Sequence, residues 1–98
     1  MILTKQPIKF RQWACIPVLG KYENGGVSIK LIGEDDGEPI ATATTCIPGL
    51  AKDEIAIKNY AENEGMLKCL LHHNVIHKPH RIAFGGFVSF PIVRLKST

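Results

Sequence analysis

No acidic side chain occurs after Glu64: residues 65–98 carry five Lys/Arg and no Asp or Glu. Residues 1–30 are nearly as one-sided, with five Lys/Arg against one Glu, so the acids crowd into residues 31–64, where eight face two lysines. The thirds therefore read +4, −6 and +5, summing to the formal net charge of +3. Segments of opposite sign either neighbour and solvate one another, or leave one basic face able to steer an acidic partner.

Other absences exclude whole classes. No apolar run approaches the roughly 20 residues that cross a bilayer, and the opening MILTKQPIKFRQW lacks a long apolar stretch with a small-residue cleavage site. No membrane partner is expected, and the expected location is the cytoplasm of the cell that holds the chain. Cys15, Cys46 and Cys69 are odd in number and form no C-x-x-C pair, so neither a disulfide framework nor a zinc knuckle is indicated. Neither Gly25-Gly26 nor Gly85-Gly86 is followed by a helix and lysine at phosphate-loop spacing. No strained elbow sets a serine or cysteine beside a base. No catalytic residue, metal site or cofactor is expected, and the chain reads as a non-enzyme.

What is present reads as one small domain over residues 1–98, too short for a second core or a large substrate cavity. FRQWACIPVLG (10–20) reads as a strand, with Pro17 marking an edge, a bulge or an exit. Asn24-Gly25-Gly26 supplies a tight turn into VSIKLI (27–32), whose strict alternation predicts a second strand. Asp35-Asp36-Gly37 turns the chain into the β-branched run IATATTCI (40–47). DEIAIK (53–58) reads as a short strand or an extended lead into a helix. RIAF, Gly85-Gly86 and FVSFPIVRL form a closing hairpin, with Pro91 marking an edge or bulge.

The helix is predicted from about Tyr60 to His73. Asn59 is its expected N-cap, with Glu62 three residues on to complete a capping box. Tyr60, Met66, Leu67, Leu70 and Leu71 form its apolar stripe. Gly65 falls inside, which implies close approach to a strand or partner. Asn74 suits the left-handed stop, with Val75 or Ile76 folding back. The expected fold is α+β, a mostly antiparallel sheet of about five to six strands with this amphipathic helix on one face.

Two clusters bear chemistry. His72, His73, His77 and His80 fall within nine residues, but Asn74 and Pro79 break the helix between them, which leaves solvated helix-end and loop histidines. Cys69 and His73 are spaced to touch on one helix face, though Cys69 is expected to face the core. The basic thirds offer Lys5, Lys9, Arg11, Lys21, Lys78, Arg81, Arg94 and Lys96, with Trp13, Tyr22 or Phe87 for stacking. Aromatics are only 7% of the chain and no nucleic-acid-binding motif is present.

DGEPIATATTCIPGLAKDEIAIKNYAENEGML together with GGFVSFPIVRL resembles a small domain-of-unknown-function family carried by bacteriophages and other mobile elements. The resemblance covers most of residues 13–95, and AIKNYAENEGML (56–67) is its most distinctive piece. It implies a protein that acts by binding a host protein or complex, such as a counter-defence inhibitor that occludes a nuclease or sequesters a signalling nucleotide. The candidate contact residues are Lys58, Asn59, Glu62, Asn63 and Glu64, flanked by Arg81 and Arg94. The alternative is a nucleotide or nucleic-acid binder that places Lys58, Arg81 and Arg94 on phosphates. Incompletely protected sheet edges also point to a homo-oligomer.

Overall fold

Alternating apolar residues and glycine turns divide the chain into more strands than the sequence predicts, and they form two sheets. A computed structural model describes residues 1–96. Strands β1 (Ile8–Phe10), β2 (Trp13–Lys21), β3 (Val27–Gly33) and β4 (Pro39–Thr42) form one antiparallel sheet in sequential order. Strands β5 (Thr44–Thr45), β6 (Glu54–Ile57), β7 (Arg81–Gly85) and β8 (Val88–Arg94) form a second, ordered β5-β6-β8-β7. One short helix, α1 (Met66–His72), completes an α+β domain.

The single sheet of five to six strands is therefore corrected to two sheets of four. The break falls at Ala43, inside the run that reads as one continuous strand. Ala43 N donates to the Ile29 carbonyl of the first sheet at 2.8 Å, and its own carbonyl accepts from Lys58 N at 2.9 Å. Thr42 and Thr44 on either side thus belong to different sheets.

The inward residues of both sheets meet in one core. Ile8, Phe10, Cys15, Ile29 and Leu31 from the first sheet pack with Ile55, Ile57 and Val93 from the second, and Met66, Leu70, Val75 and Ile76 close the end. Each such fully buried aliphatic side chain contributes roughly 1.5–3 kcal/mol. The other face of the second sheet has a smaller core, where Ala56, Phe90 and Ile92 are covered by Ile47, Leu50 and Tyr60. β6 is buried along its whole length because it lies between the two cores.

The helix is shorter than predicted and begins later. Ala61–Asn63 form a separate 3-10 turn, and Gly65 stands at the helix N-terminus with φ 94°. A Cβ on Gly65 would meet nothing within 4 Å, so the left-handed backbone requires glycine there, not a close neighbour. Tyr60 leaves the helical stripe and packs edge-on against Phe90, with ring centroids 6.0 Å apart. The helix end follows the sequence: Asn74 has φ 58°, its N–H bonds the Leu71 carbonyl, and Val75 N bonds the Leu70 carbonyl at 2.9 Å. That pair of bonds is the Schellman stop.

Neither proline marks an edge strand. Pro17 lies in β2, between β1 and β3, and its carbonyl accepts from Leu3 N at 2.9 Å. Its nitrogen points the same way, away from β3, so no bond of that ladder is lost. Pro91 lies in β8, between β6 and β7. Ile92 turns its carbonyl toward His80 N, so Pro91 faces β6, whose pairing ends one residue earlier at Ala56↔Ile92. The helix protects the β1 edge instead: Lys9 N donates to His73 Nε2 at 3.2 Å, and Cys69 Sγ donates to the Lys9 carbonyl at 3.3 Å. Among the described residues no helix is long and apolar enough to cross a membrane.

Candidate functional site

β6 ends at Ile57, and the chain that leaves it carries the predicted contact residues. Lys58 Nζ meets Glu62 Oε1 at 2.8 Å on the surface, a bond that raises the lysine pKa and lowers that of the glutamate. Glu62 therefore does not close a capping box. Asn59 does cap the helix, but from a distance: its Oδ1 accepts from Leu67 N at 2.8 Å, eight residues on. Asn63 is corrected from contact residue to internal strut. It is 2% exposed, and its Nδ2 donates to the Thr42 carbonyl at 2.7 Å. Glu64 is exposed, and its carbonyl accepts from Arg11 Nη2 at 3.1 Å.

Arg11 connects this segment to a hairpin that lies far from it in sequence. The tight turn between β1 and β2 projects Arg11 and Trp13, and a pocket of about 350 Å³ opens between them and Ile40, Thr42, Lys58 and Glu62. Trp13 is 41% exposed at its rim. The Arg11 guanidinium lies 5.4 Å from the centre of the Phe10 ring, a cation–π contact that holds it in place. On its far side Arg11 also borders a wider groove of about 710 Å³, lined by Leu67, Leu71, Lys68 and His72.

Backbone strain concentrates on the same surface. Among the described residues, Arg11 (φ 56°), Ala61 (φ 53°) and Asn74 (φ 58°) are the non-glycine residues with positive φ. Asn74 is the helix stop, where asparagine is well suited, but Arg11 and Ala61 have side chains that disfavour this region by roughly 1–2 kcal/mol. Such strain collects at ligand-contacting segments. Replacing the exposed Ala61 with glycine is expected to stabilise the protein by about 1 kcal/mol, read as a rise in thermal midpoint. An unchanged or lower midpoint would show that Ala61 is not strained.

The remaining predicted cations are engaged elsewhere. Arg94 Nε lies 2.7 Å from Asp53 Oδ2. Arg81 grips Glu54 with two nitrogens, Nε to Oε2 at 2.9 Å and Nη2 to Oε1 at 2.6 Å. His80 Nε2 donates to Oε2 at 2.6 Å, and Ala51 N to Oε1 at 2.9 Å. Glu54 is 7% exposed, and these four donors, Arg81 foremost, hold its carboxyl well below the usual range. In the sequence Glu54 is one residue of DEIAIK, whereas in the fold it ties β6 to the start of β7 and to the loop at 49–51. Only side chains far apart in sequence make that visible.

The histidines diverge. His72 and His73 stack edge-on with centroids 4.9 Å apart, His73 binds β1, and His80 binds Glu54. Burial and the neighbouring His72 hold the His73 pKa below its ordinary value. Burial pushes the Cys69 thiol up to about 11, so it remains a protonated donor to Lys9. Among the described residues no group of three or more His, Cys, Asp or Glu converges on one point. Comparison of the chain with models of known protein families, with curated proteins and with solved structures finds no match to any of them.

Proposed function

We propose that the chain is a non-catalytic binding protein that docks a host macromolecule through the Arg11, Trp13 and Lys58–Glu64 surface. The observation that carries this reading is the half-exposed Trp13 beside a fixed Arg11, at the rim of a pocket flanked by two strained backbone positions. Tryptophan and arginine dominate the energetic centres of protein interfaces, because each combines a large contact area with directional polar groups. The Lys58–Glu62 pair and Glu64 supply a charged rim of both signs, which suits a protein partner better than a polyanion. The resemblance to phage and mobile-element proteins supplies the partner's class: a bacterial host protein or complex, with counter-defence inhibition as the activity.

The nucleotide or nucleic-acid reading receives less support. Its three phosphate-binding cations, Lys58, Arg81 and Arg94, are each paired with a carboxylate, and a phosphate would have to displace it.

The test is stoichiometric co-purification from bacterial host lysate, followed by affinity measurement with the purified component. Trp13→Ala is expected to weaken binding roughly 30-fold or more, while the thermal midpoint holds. Charge reversal at Glu62 and Glu64 should weaken it less. Binding indifferent to Trp13→Ala would remove this surface from the function. Retention on a polyanion column that falls steeply with salt would favour the phosphate reading instead.

A further inference from the structure

The second sheet ends in an edge that none of the described residues covers. β7 pairs with β8 on one side only, and the two-residue turn Gly86-Phe87 fixes their register as Gly85↔Val88, Ala83↔Phe90 and Arg81↔Ile92. Residues flanking such a turn exchange both backbone bonds. Arg81, Ala83 and Gly85 therefore spend their backbone groups on β8, and Ile82 and Phe84 turn theirs outward.

Their side chains are equally uncovered. Ile82 and Phe84 sit opposite Pro91 and Ser89, on the sheet face that carries Val93 into the main core. That face runs on past the core: Ile82 is 57% exposed, Phe84 81%, and Phe87 at the turn is fully exposed. Monomeric proteins blunt such edges with charges, prolines or covering elements, and the β1 edge has its cover in His73 and Cys69. Among the described residues β7 has none of these along Ile82-Ala83-Phe84.

We infer that β7 is a homodimerisation strand, pairing antiparallel with β7 of a second copy about a two-fold axis at Ala83. The outward-facing backbone of Ile82 then bonds that of Phe84 in the second copy, and Phe84 that of Ile82, joining two four-stranded sheets into one of eight. The sequence is self-complementary in this register, because each exposed aliphatic meets an exposed aromatic on the same face. Charge selects the same arrangement. Arg81 falls opposite Gly85, and the two Arg81 residues lie four positions apart, about 14 Å at strand spacing. That exceeds the Debye length of about 8 Å at physiological salt, whereas parallel pairing would set them side by side. The two Phe84 side chains at roughly 150–250 Å² each supply about 300–500 Å², before both Ile82 side chains and the paired backbone are added. A specific interface needs about 1,000 Å². The strand belongs to the opposite sheet from Trp13, so this inference stands apart from the proposed host contact.

Sedimentation equilibrium tests it. The wild type is expected to dimerise, and Phe84→Lys or Ile82→Lys to weaken the dimer roughly 30-fold or more. Both sites are exposed, so a cooperative thermal transition confirms that the variants fold, with a midpoint lowered only by the share that dimerisation supplies. In a Cys46→Ser background, Ala83→Cys is expected to form an interchain disulfide, because the axial pair sits about 4.5 Å apart at Cα. A monomeric wild type, a dimer indifferent to both lysines, or a dimer that fails to cross-link at Ala83→Cys would each overturn the inference. So would a monomer that takes up an unrelated extended peptide along β7.

Discussion

Replacing Glu54 with glutamine is expected to lower the thermal midpoint at neutral pH by several times the gain expected from Ala61→Gly. The carboxylate accepts four hydrogen bonds, two on each oxygen, from Arg81, His80 and Ala51. Glutamine keeps one acceptor oxygen and turns an NH₂ group toward the donors that the other oxygen served. Donor then meets donor beneath the partly exposed Arg81 and His80, and the Arg81 guanidinium loses its counter-charge. The damage should extend beyond the side chains, because this cluster fastens β7 to the interior of its sheet.

The same carboxylate makes stability depend on pH in a defined direction. Its folded pKa lies below the unfolded value of about 4.3. A depressed carboxyl contributes stability that is fully present above the unfolded pKa and lost as pH falls through and below it. The gap between wild type and Glu54→Gln should therefore be widest near neutrality and shrink on acidification below about pH 4. Denaturant melts at two pH values measure it. A gap that is absent at neutral pH, or that widens in acid, would contradict the role assigned to Glu54.

The second large effect is at Asn63. Asn63→Asp is expected to destabilise the protein by about 3 kcal/mol, equivalent to roughly 10–20 °C in midpoint for a domain of this size. The buried amide donates to the Thr42 carbonyl, and an ionised carboxylate in its place sets two acceptors against each other without water. Acid should partly rescue the variant, since the introduced carboxyl regains a donor once it is protonated. Were Asn63 a partner contact, the substitution would spare the midpoint and alter host binding alone.

These two residues illustrate what the sequence conveys and what it does not. Turns at Gly25-Gly26 and Asp36-Gly37, the alternation of Val27 to Ile32, and the stop at Asn74 are local signals, and each appears in the fold, while the turn expected at Gly85-Gly86 falls one residue later, at Gly86-Phe87. Local reading fails where distant groups compete. Asn59 and Glu62 have capping-box spacing, but Lys58 takes Glu62 and Leu67 takes Asn59. The positive φ at Ala61 has no residue signature, so the pattern of apolar residues sets the helix start too early. Prolines in interior strands mislead because the direction of a strand's N–H groups depends on register, which residue identity does not reveal. For the candidate site, the 58–64 segment is legible, but its union with Arg11 and Trp13 depends on sheet packing.

The crossing at Ala43 links the fates of the two sheets. One residue is both the last rung of one ladder and the first of the next, through Ile29 on one side and Lys58 on the other. Neither sheet can separate without exposing this buried seam, so the domain should open in a single cooperative step rather than shed one layer first. With the two sheets tied at this seam, the strained residues Arg11 and Ala61 are expected to keep their geometry until the domain unfolds as a whole.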